Sequence, residues 1–362
     1  MTAQMKIPTL TNSTAWNSDS QLLEVVMIRQ DSYNVKTFVF HTQDHNWFDY
    51  APGQFITLEL EIEGKKVHRT YTLSSSPSRP LCITITVKSN PDGFVSKWLH
   101  ENLKVGDKVK AFGPAGIFTL HNHMADKYLF LSGGVGVTPV MSMARWIFDY
   151  GLDTDTVFVQ CNQTPSDILF RKELEGMSAR IPDMKVAFVC ERPDEYGAWT
   201  GFTGRLNQLM LELIAPDYME REIFCCGPEP YMQAVRDILN AAGYDMERYH
   251  EESFTSPVET EADIPDHDDI IIDDSNKSRV TFAKTGKEIE VTEGTTLLNA
   301  AKAAGIHIPN ACQFGVCGTC KVKKISGDVH MVQNGGINDA DVEAGYILAC
   351  CSNPLGEVEI DY

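Results

Sequence analysis

The chain contains no run of eighteen apolar residues, and its opening, MTAQMKIPTLTNSTAWNSDSQ, has no basic segment followed by an apolar core. A membrane-spanning helix, which needs about 20 apolar residues, and a secretory leader are therefore not expected. Positive charge is scarce: 31 Lys and Arg stand against 50 Asp and Glu, for a net charge of −19. Such a balance repels phosphate backbones and anionic lipid surfaces, so neither nucleic acid nor a membrane is an expected partner. Internal repeats are missing too, and no low-complexity tract appears beyond one acidic stretch.

What is present suggests several folded units. At 362 residues with 43% hydrophobic content, the chain exceeds one ordinary core. Residues 1–20 are polar and weakly patterned and read as a loose arm. From 21 to 124, short runs of β type dominate, KTFVFHT, QFITLELEI, RTYTLSS, LCITITVK and KVKAFGP, which predicts an antiparallel β-barrel. From 125 to 254 the pattern becomes α/β: YLFLSG, TVFVQCN, KVAFVCE and IFCCGP read as buried parallel strands separated by helices such as VMSMARWIFDYG and EPYMQAVRDILNAAG. Residues 255–276 form a linker, since Ser256 to Asp274 holds eight Asp or Glu and no Lys or Arg, a composition that repels itself and extends. Across 277–362 a hairpin around Thr285-Gly286, a Thr-capped helix TTLLNAAKAAG ending at Gly305, a cysteine loop and a last strand predict a small α+β domain that resembles the β-grasp ferredoxin fold.

The cysteine loop is the sharpest chemical signal. Cys312, Cys317 and Cys320 stand in the run CQFGVCGTC, and Cys350 follows after 29 residues. This x4, x2 spacing with a distant fourth thiol is the plant-type pattern for a [2Fe–2S] cluster. Gly315 and Gly318 let backbone amides turn inward, and soft thiolates suit iron and sulfide. The competing reading is structural zinc, for which two separated CxxC-like pairs are usual and only one is present. The adjacent Cys351 complicates the fourth ligand, since neighbours on a strand point to opposite faces. The run GYILACCSNPLGEVEID resembles the end of plant-type ferredoxins, in which the ligand stands four residues before a Pro. That resemblance selects Cys350 ahead of Pro354 and leaves Cys351 as a small buried residue. Ten Cys, four of them committed in this way, fit a reducing compartment, and a cytoplasmic protein is expected.

Two further motifs suit organic cofactors. In Arg69-Thr70-Tyr71-Thr72-Leu73-Ser74, Arg69 can neutralise a phosphate, Tyr71 can lie on a flavin face and Thr72 can hydrogen-bond near its reactive nitrogen. RTYTLS alone is equally an edge strand. Gly93 and Ser96, opening the helical stretch SKWLHENL, can present N–H groups and a hydroxyl to a pyrophosphate. Gly134, Gly136 and Pro139 in SGGVGVTPVM lie between a strand and a helix, where backbone can approach a dinucleotide. They depart from GxGxxG, for Pro139 replaces the third Gly and no acid ends the second strand at Cys161-Asn162-Gln163. Cys226 and Gly227 form a second turn after the fourth parallel strand, with Cys226 facing the cleft and Cys225 buried behind it.

RTYTLS, GFVS, GGVGVTP, CCGPEPYM and YHEESF occur in the order and spacing of the ferredoxin–NADP reductase superfamily, and the chain resembles it over about residues 22–254. The resemblance implies that Arg69, Tyr71, Thr72 and Ser74 bind flavin, and Gly93 and Ser96 its phosphates. It implies further that Gly134, Gly136, Thr138 and Pro139 hold the nicotinamide nucleotide, that Cys226 sits beside its ring, and that Glu252 and Phe254 close the far side of the flavin. Thr72 stands where many relatives have Ser and keeps the hydroxyl. GxxS favours FAD, while the same module order in an FMN-containing phthalate dioxygenase reductase leaves FMN open. NADH is favoured over NADPH; Arg171 could meet a 2′-phosphate or pair with Glu175 one helical turn on. His121 and His123 read as loop residues with no carboxylate or Cys cluster nearby in sequence.

Together these features imply an oxidoreductase that takes hydride from NAD(P)H and releases single electrons through a cluster of about −400 mV. No Rieske Cys-x-His pair and no 2-His-1-carboxylate iron site is visible in the sequence, so the terminal chemistry is expected on a transiently docking redox protein. The arrangement resembles the reductases of Rieske-type oxygenases, those of glycine betaine demethylation above all, and the NADH reductase of hybrid-cluster protein. A non-enzymatic electron carrier or cluster-binding adaptor is the alternative from another class, which the full set of flavin and nucleotide turns argues against.

Overall fold

The computed structural model describes residues 21–42, 46–91, 93–254, 277–292, 294–310, 315, 318–331, 333, 336–337 and 339–362. The expected arm at 1–20, the acidic linker at 255–276, and Cys312 and Cys317 lie outside the described residues. The chain divides into two compact units, one of Met1–Phe55 with Tyr71–Thr255, the other of Ile56–Thr70 with Ser256–Tyr362.

Six strands form the first sheet: β1 (Gln21–Ser32), β2 (Val35–Thr42), β3 (Phe55–Ile62), β4 (Lys65–Thr72), β5 (Ile83–Lys88) and, after helix α1 (Phe94–Asn102), β6 (Lys108–Ala115). Their order is β4-β3-β6-β1-β2-β5, and β6, β1, β2 and β5 pair antiparallel. Phe38 opposes Ile85 and Phe40 opposes Ile83, and all four are fully buried, so aromatic and β-branched pairs hold β2 to β5 from one face. Beyond the end of β4, Leu73 bridges Ile85 of β5, so the sheet closes on itself and the predicted antiparallel barrel is present. β1 is the strand that run-reading does not single out. Glu24, Arg29 and Gln30 interrupt its apolar pattern, while Leu23 and Val25 alone reach zero exposure.

The α/β part follows: β7 (Lys127–Gly133), α2 (Val137–Tyr150), β8 (Asp155–Asn162), α3 (Arg171–Ser178), β9 (Met184–Cys190), β10 (Phe202–Thr203), α4 (Gln208–Ile214), β11 (Glu222–Cys226), α5 (Glu229–Ala242) and β12 (Tyr249–Glu252). All strands are parallel, in the order β10-β9-β8-β7-β11-β12, with the reversal between β7 and β11. Strand alternation sends Tyr128, Phe130, Phe224 and Cys226 to one face, packed with Val140, Met141 and Ala144 of α2. Leu129, Leu131, Ile223 and Cys225 go to the other, packed with Met232, Val235 and Leu239 of α5. The near-continuous apolar runs of the sequence thus arise because both faces are covered. Gly151 and Gly243, left-handed at φ 59° and 74°, end α2 and α5.

Two buried arginines brace this unit. Arg221 is 1% exposed; it meets both Asp217 oxygens at 2.7 and 2.9 Å, Asp155 Oδ2 at 2.9 Å, and the carbonyls of Tyr128 and Asp155. Arg145 of α2 pairs twice with Glu173, at 2.8 and 2.7 Å, and donates to the Ser74 carbonyl, while Ser142 donates to the Ser75 carbonyl at 2.6 Å. The strand extension beyond β4 is thereby tied to the first helix of the parallel sheet, which fixes Thr72 relative to the C-terminal strand ends.

The last sheet comprises β13 (Lys277–Phe282), β14 (Lys287–Thr292), β15 (Lys321–Met331), β16 (Tyr346–Leu348) and β17 (Ser352–Ile360), with α6 (Leu297–Ala303) and α7 (Asp339–Glu343). Its order is β14-β13-β17-β15-β16, with β13 and β17 parallel and the other pairs antiparallel. Thr296 caps α6 by accepting from the Asn299 amide, and Gly305 at φ +68° ends it, as the sequence predicts.

Candidate functional site

At the C-terminal ends of the parallel strands, two glycine turns are pressed together. A Cβ at Gly136 would collide with the Cys226 carbonyl and stand 2.6 Å from the Gly227 amide nitrogen; one at Gly227 would stand 3.1 Å from the Gly133 backbone. Only glycine permits this approach. Gly134 takes φ +55°, and a Cβ there would meet nothing within 4 Å, so its outer side is open. α2 begins directly after Gly136 with no side chain capping its first turn, while Thr138 Oγ1 turns back to the Val135 carbonyl at 3.2 Å and Pro139 is buried behind it. The result is a backbone cradle at a helix N-terminus, beside the switch point of the strand order, and it suits a dinucleotide phosphate.

Asn162, at the end of β8, is 6% exposed, and neither its amide oxygen nor its nitrogen has a hydrogen-bond partner in the described structure. Orphaned buried amides are costly, and a ligand with a donor and an acceptor would satisfy this one. The sequence reading passed over it; its place at the end of the second parallel strand was the available signal.

Facing the cradle, Thr72 closes β4 and Glu252 closes β12, and the Thr72 hydroxyl donates to Glu252 Oε2 at 3.3 Å. Burial raises the Glu252 carboxyl from 4.5 to about 8, with the Thr72 hydrogen bond offsetting part of the rise. Half-buried at the strand end, Glu252 thus keeps its proton to higher pH than an ordinary carboxyl. Cys226 pairs in register with Glu252 and is fully buried; its burial, then the carboxyl beside it, hold the thiol well above its ordinary value, so it is not a thiolate. Tyr71 is half-buried beside Thr72, and Phe254 is 39% exposed two residues beyond Glu252.

Gly93 caps α1, and a Cβ there would stand 2.5 Å from Ser96 Oγ, which accepts from the Asn90 amide at 3.2 Å. The tight turn thus places Ser96 at the start of α1. Arg69 is half-buried on β4 and donates to the His68 carbonyl at 2.9 Å. Ser74 is placed otherwise than the resemblance implies. It is fully buried, with its hydroxyl shared with Thr84 Oγ1 at 2.8 Å and Thr86 Oγ1 at 2.9 Å, so its observed part is to hold β5 against the strand carrying Thr72. Arg171 pairs with Glu175 at 2.9 Å and lies over the rings of Phe188 and Trp199.

In the small sheet the structure brings Cys320 and Cys350 together. Both are buried, and the Cys350 amide donates to Cys320 Sγ at 3.4 Å, the kind of N–H to sulfur bond that stabilises a cluster thiolate. Gly315 and Gly318 have φ +69° and +70°, and a Cβ at Gly318 would stand 2.5 Å from the Gly336 carbonyl oxygen, so the inward turn requires glycine. Cys351 donates its thiol to the Leu348 carbonyl at 3.7 Å and packs in the core. Two soft thiols in a glycine-turned corner fit a cluster edge.

The expectation for the histidine pair is corrected. His121 packs edge-on to Trp146, whereas His123 meets His250 and a carboxylate, Glu222, from strands remote in sequence. A 2-His-1-carboxylate group is therefore present, invisible to any local spacing.

Residues 22–120 match the oxidoreductase FAD-binding domain, 130–237 the oxidoreductase NAD-binding domain, and 280–355 the 2Fe-2S iron-sulfur cluster binding domain. The chain is 49% identical over 344 residues to the stachydrine N-demethylase reductase subunit of Rhizobium meliloti, covering 95% of this chain and 97% of that one. It is 50% identical over 355 residues to the glycine betaine monooxygenase reductase subunit of Pseudomonas aeruginosa, covering 96% of each. The NADH oxidoreductase HCR of Escherichia coli is 31% identical over 349 residues, 96% of this chain and 98% of that one. Phthalate dioxygenase reductase shares the fold, with a TM-score of 0.58 at 22% identity over 95% of this chain and 98% of that chain. Among the described residues no helix is long and apolar enough to cross a membrane.

Proposed function

The chain belongs to the oxidoreductases that carry an FAD-binding, an NAD-binding and a 2Fe-2S domain on one polypeptide, and from that premise we propose that it carries electrons from NADH to the terminal oxygenase of a quaternary-amine demethylase, with glycine betaine as the first substrate to test. The observation that carries this reading is the alignment of nearly the whole chain, at about half identity, with reductase subunits of glycine betaine and stachydrine demethylation. Bound FAD and the cluster supply the conversion of a two-electron hydride into single electrons.

The chain's own residues position and protect that chemistry. Tyr71 and Thr72 hold the flavin ring, Arg69, Gly93 and Ser96 its phosphates, and Phe254 covers its far side. Ser74 acts from behind by fixing the strand. Gly134, Gly136, Thr138, Pro139 and Gly227 admit the nucleotide backbone-first, and Asn162 offers it an unsatisfied amide. The neutral Cys226 thiol supports the nicotinamide ring without adding charge beside it. Glu252, with the Thr72 hydroxyl donating to its Oε2, would hold a proton beside a bound flavin. Cys312, Cys317, Cys320 and Cys350 ligate the cluster. NADH is favoured because Arg171 is already committed to Glu175. The domain limits are 21–124, 125–254 and 277–362, the protein works in the cytoplasm, and docking of the oxygenase is transient, steered by the net charge of −19.

Mixing the purified protein with NADH, oxygen, glycine betaine and a Rieske-type oxygenase of betaine demethylation should release formaldehyde and dimethylglycine. Reduction of hybrid-cluster protein, together with failure on every such oxygenase, would make the protein an NADH reductase of hybrid-cluster protein instead.

A further inference from the structure

His123 follows the loop after the barrel, Glu222 opens β11, and His250 is the second residue of β12. Strand register pairs His250 with Phe224, and alternation puts Glu222 on the same face as Phe224. All three groups therefore gather over one aromatic floor: the His123 and His250 ring centroids lie 6.0 and 5.1 Å from that of Phe224. The two imidazoles stack on each other, centroids 3.5 Å apart and planes 23° apart. Each residue is half-buried, and one ligating atom from each lies within 4.8 Å of the other two.

Ordinary packing accounts for only part of this arrangement. His250 Nε2 meets Glu222 Oε1 at 2.6 Å, and Arg248 Nε donates to Glu222 Oε2 at 3.3 Å, so both carboxylate oxygens are fixed in place beside His250.

We propose that His123, His250 and Glu222 bind one divalent first-row transition ion of the zinc type, at a site separate from the cluster. Two imidazole nitrogens and one carboxylate oxygen, with a fourth position left to water, are the donor set and number of an open zinc site. Bonds of about 2.0–2.2 Å place ligand atoms roughly 3.4 Å apart in a tetrahedron, so the imidazole stack must open and both rings must turn a nitrogen toward the Glu222 oxygen for one ion to be held. On binding, the ion would replace the direct contact between His250 Nε2 and Glu222 Oε1. The ion would pin the loop carrying His123 to the edge of the parallel sheet. The proposal does not depend on which protein receives the electrons.

The test uses the full-length holoprotein after dialysis against a chelator, titrated with zinc chloride in competition with a fluorescent zinc indicator. One zinc per chain is expected, with affinity reduced at least about tenfold by His123→Phe and by His250→Phe, which keep a ring over Phe224, and also reduced by Glu222→Gln. Flavin and cluster absorbance provide the control for folding in each variant. Wild-type affinity in either histidine variant that keeps both absorbances would overturn the site, as would the lack of any zinc uptake by the wild type.

Discussion

Thr72 and Glu252, 180 residues apart in the chain, share a hydrogen bond of 3.3 Å that joins the end of a barrel strand to the end of the last parallel strand. Because burial raises the Glu252 carboxyl to about 8, the group's contribution to stability is complete below its unfolded value, about 4.5, and is lost as pH rises through about 8. Glu252→Gln stays neutral at every pH. In chelator-treated buffer, its thermal midpoint should therefore lack the part of the wild-type decline that this group contributes between about 4.5 and about 8 and that levels off above it. Its NADH-dependent flavin reduction should be slower and should lose any titration near that pH. An unchanged decline would show that another group titrates there.

Cys350→Ser should lose the visible absorbance of the cluster, and Cys351→Ser should keep it, because Cys350 lies against Cys320 while the Cys351 thiol is bonded to the Leu348 carbonyl in the core. Flavin reduction by NADH should persist in both. Iron and acid-labile sulfide analysis checks the outcome, and stoichiometric zinc in the cysteine loop of the wild type would reverse the cluster assignment.

Gly136→Ala should weaken NADH binding by at least about tenfold, since the added carbon must push the Gly136 turn away from Cys226 and Gly227, and a cost of about 1.4 kcal/mol already suffices. Flavin content should be unaffected. Titration of the oxidised protein with a non-reducible nicotinamide analogue reads the affinity directly.

Arg221→Met should cost about 1–3 kcal/mol of stability, the usual penalty for leaving buried acceptors without their donor. It removes the guanidinium from Asp155 Oδ2 and from the Tyr128 and Asp155 carbonyls, while Asp217 keeps Lys127 at 3.1 Å. Urea unfolding followed by the flavin signal measures the loss.

Much of the fold is legible in the sequence because it is encoded locally. Runs such as YLFLSG and TVFVQCN are apolar on both alternating sets, which only a sheet covered on both faces requires. Thr296 and Gly305 announce the limits of α6 by their own backbone chemistry. The cysteine spacing and the glycines at 134, 136, 315 and 318 are equally local, since close backbone approach and positive φ are demands on a single residue. Ser74 shows the limit. Its motif marks a strand end, but whether its hydroxyl faces a ligand or Thr84 and Thr86 depends on how β5 lies against it.

Sequence by itself determined the order of the three domains, their strand and helix types and the residue types available to hold each cofactor, because periodicity, turn chemistry and ligand spacing act over a few residues. The tertiary structure alone decided that Thr72 would meet Glu252, that Asn162 would be buried without a partner, and that His123 would stack on His250 beside Glu222. Each of these depends on which strands become neighbours and on which face a side chain emerges, and those are set by packing the whole sheet.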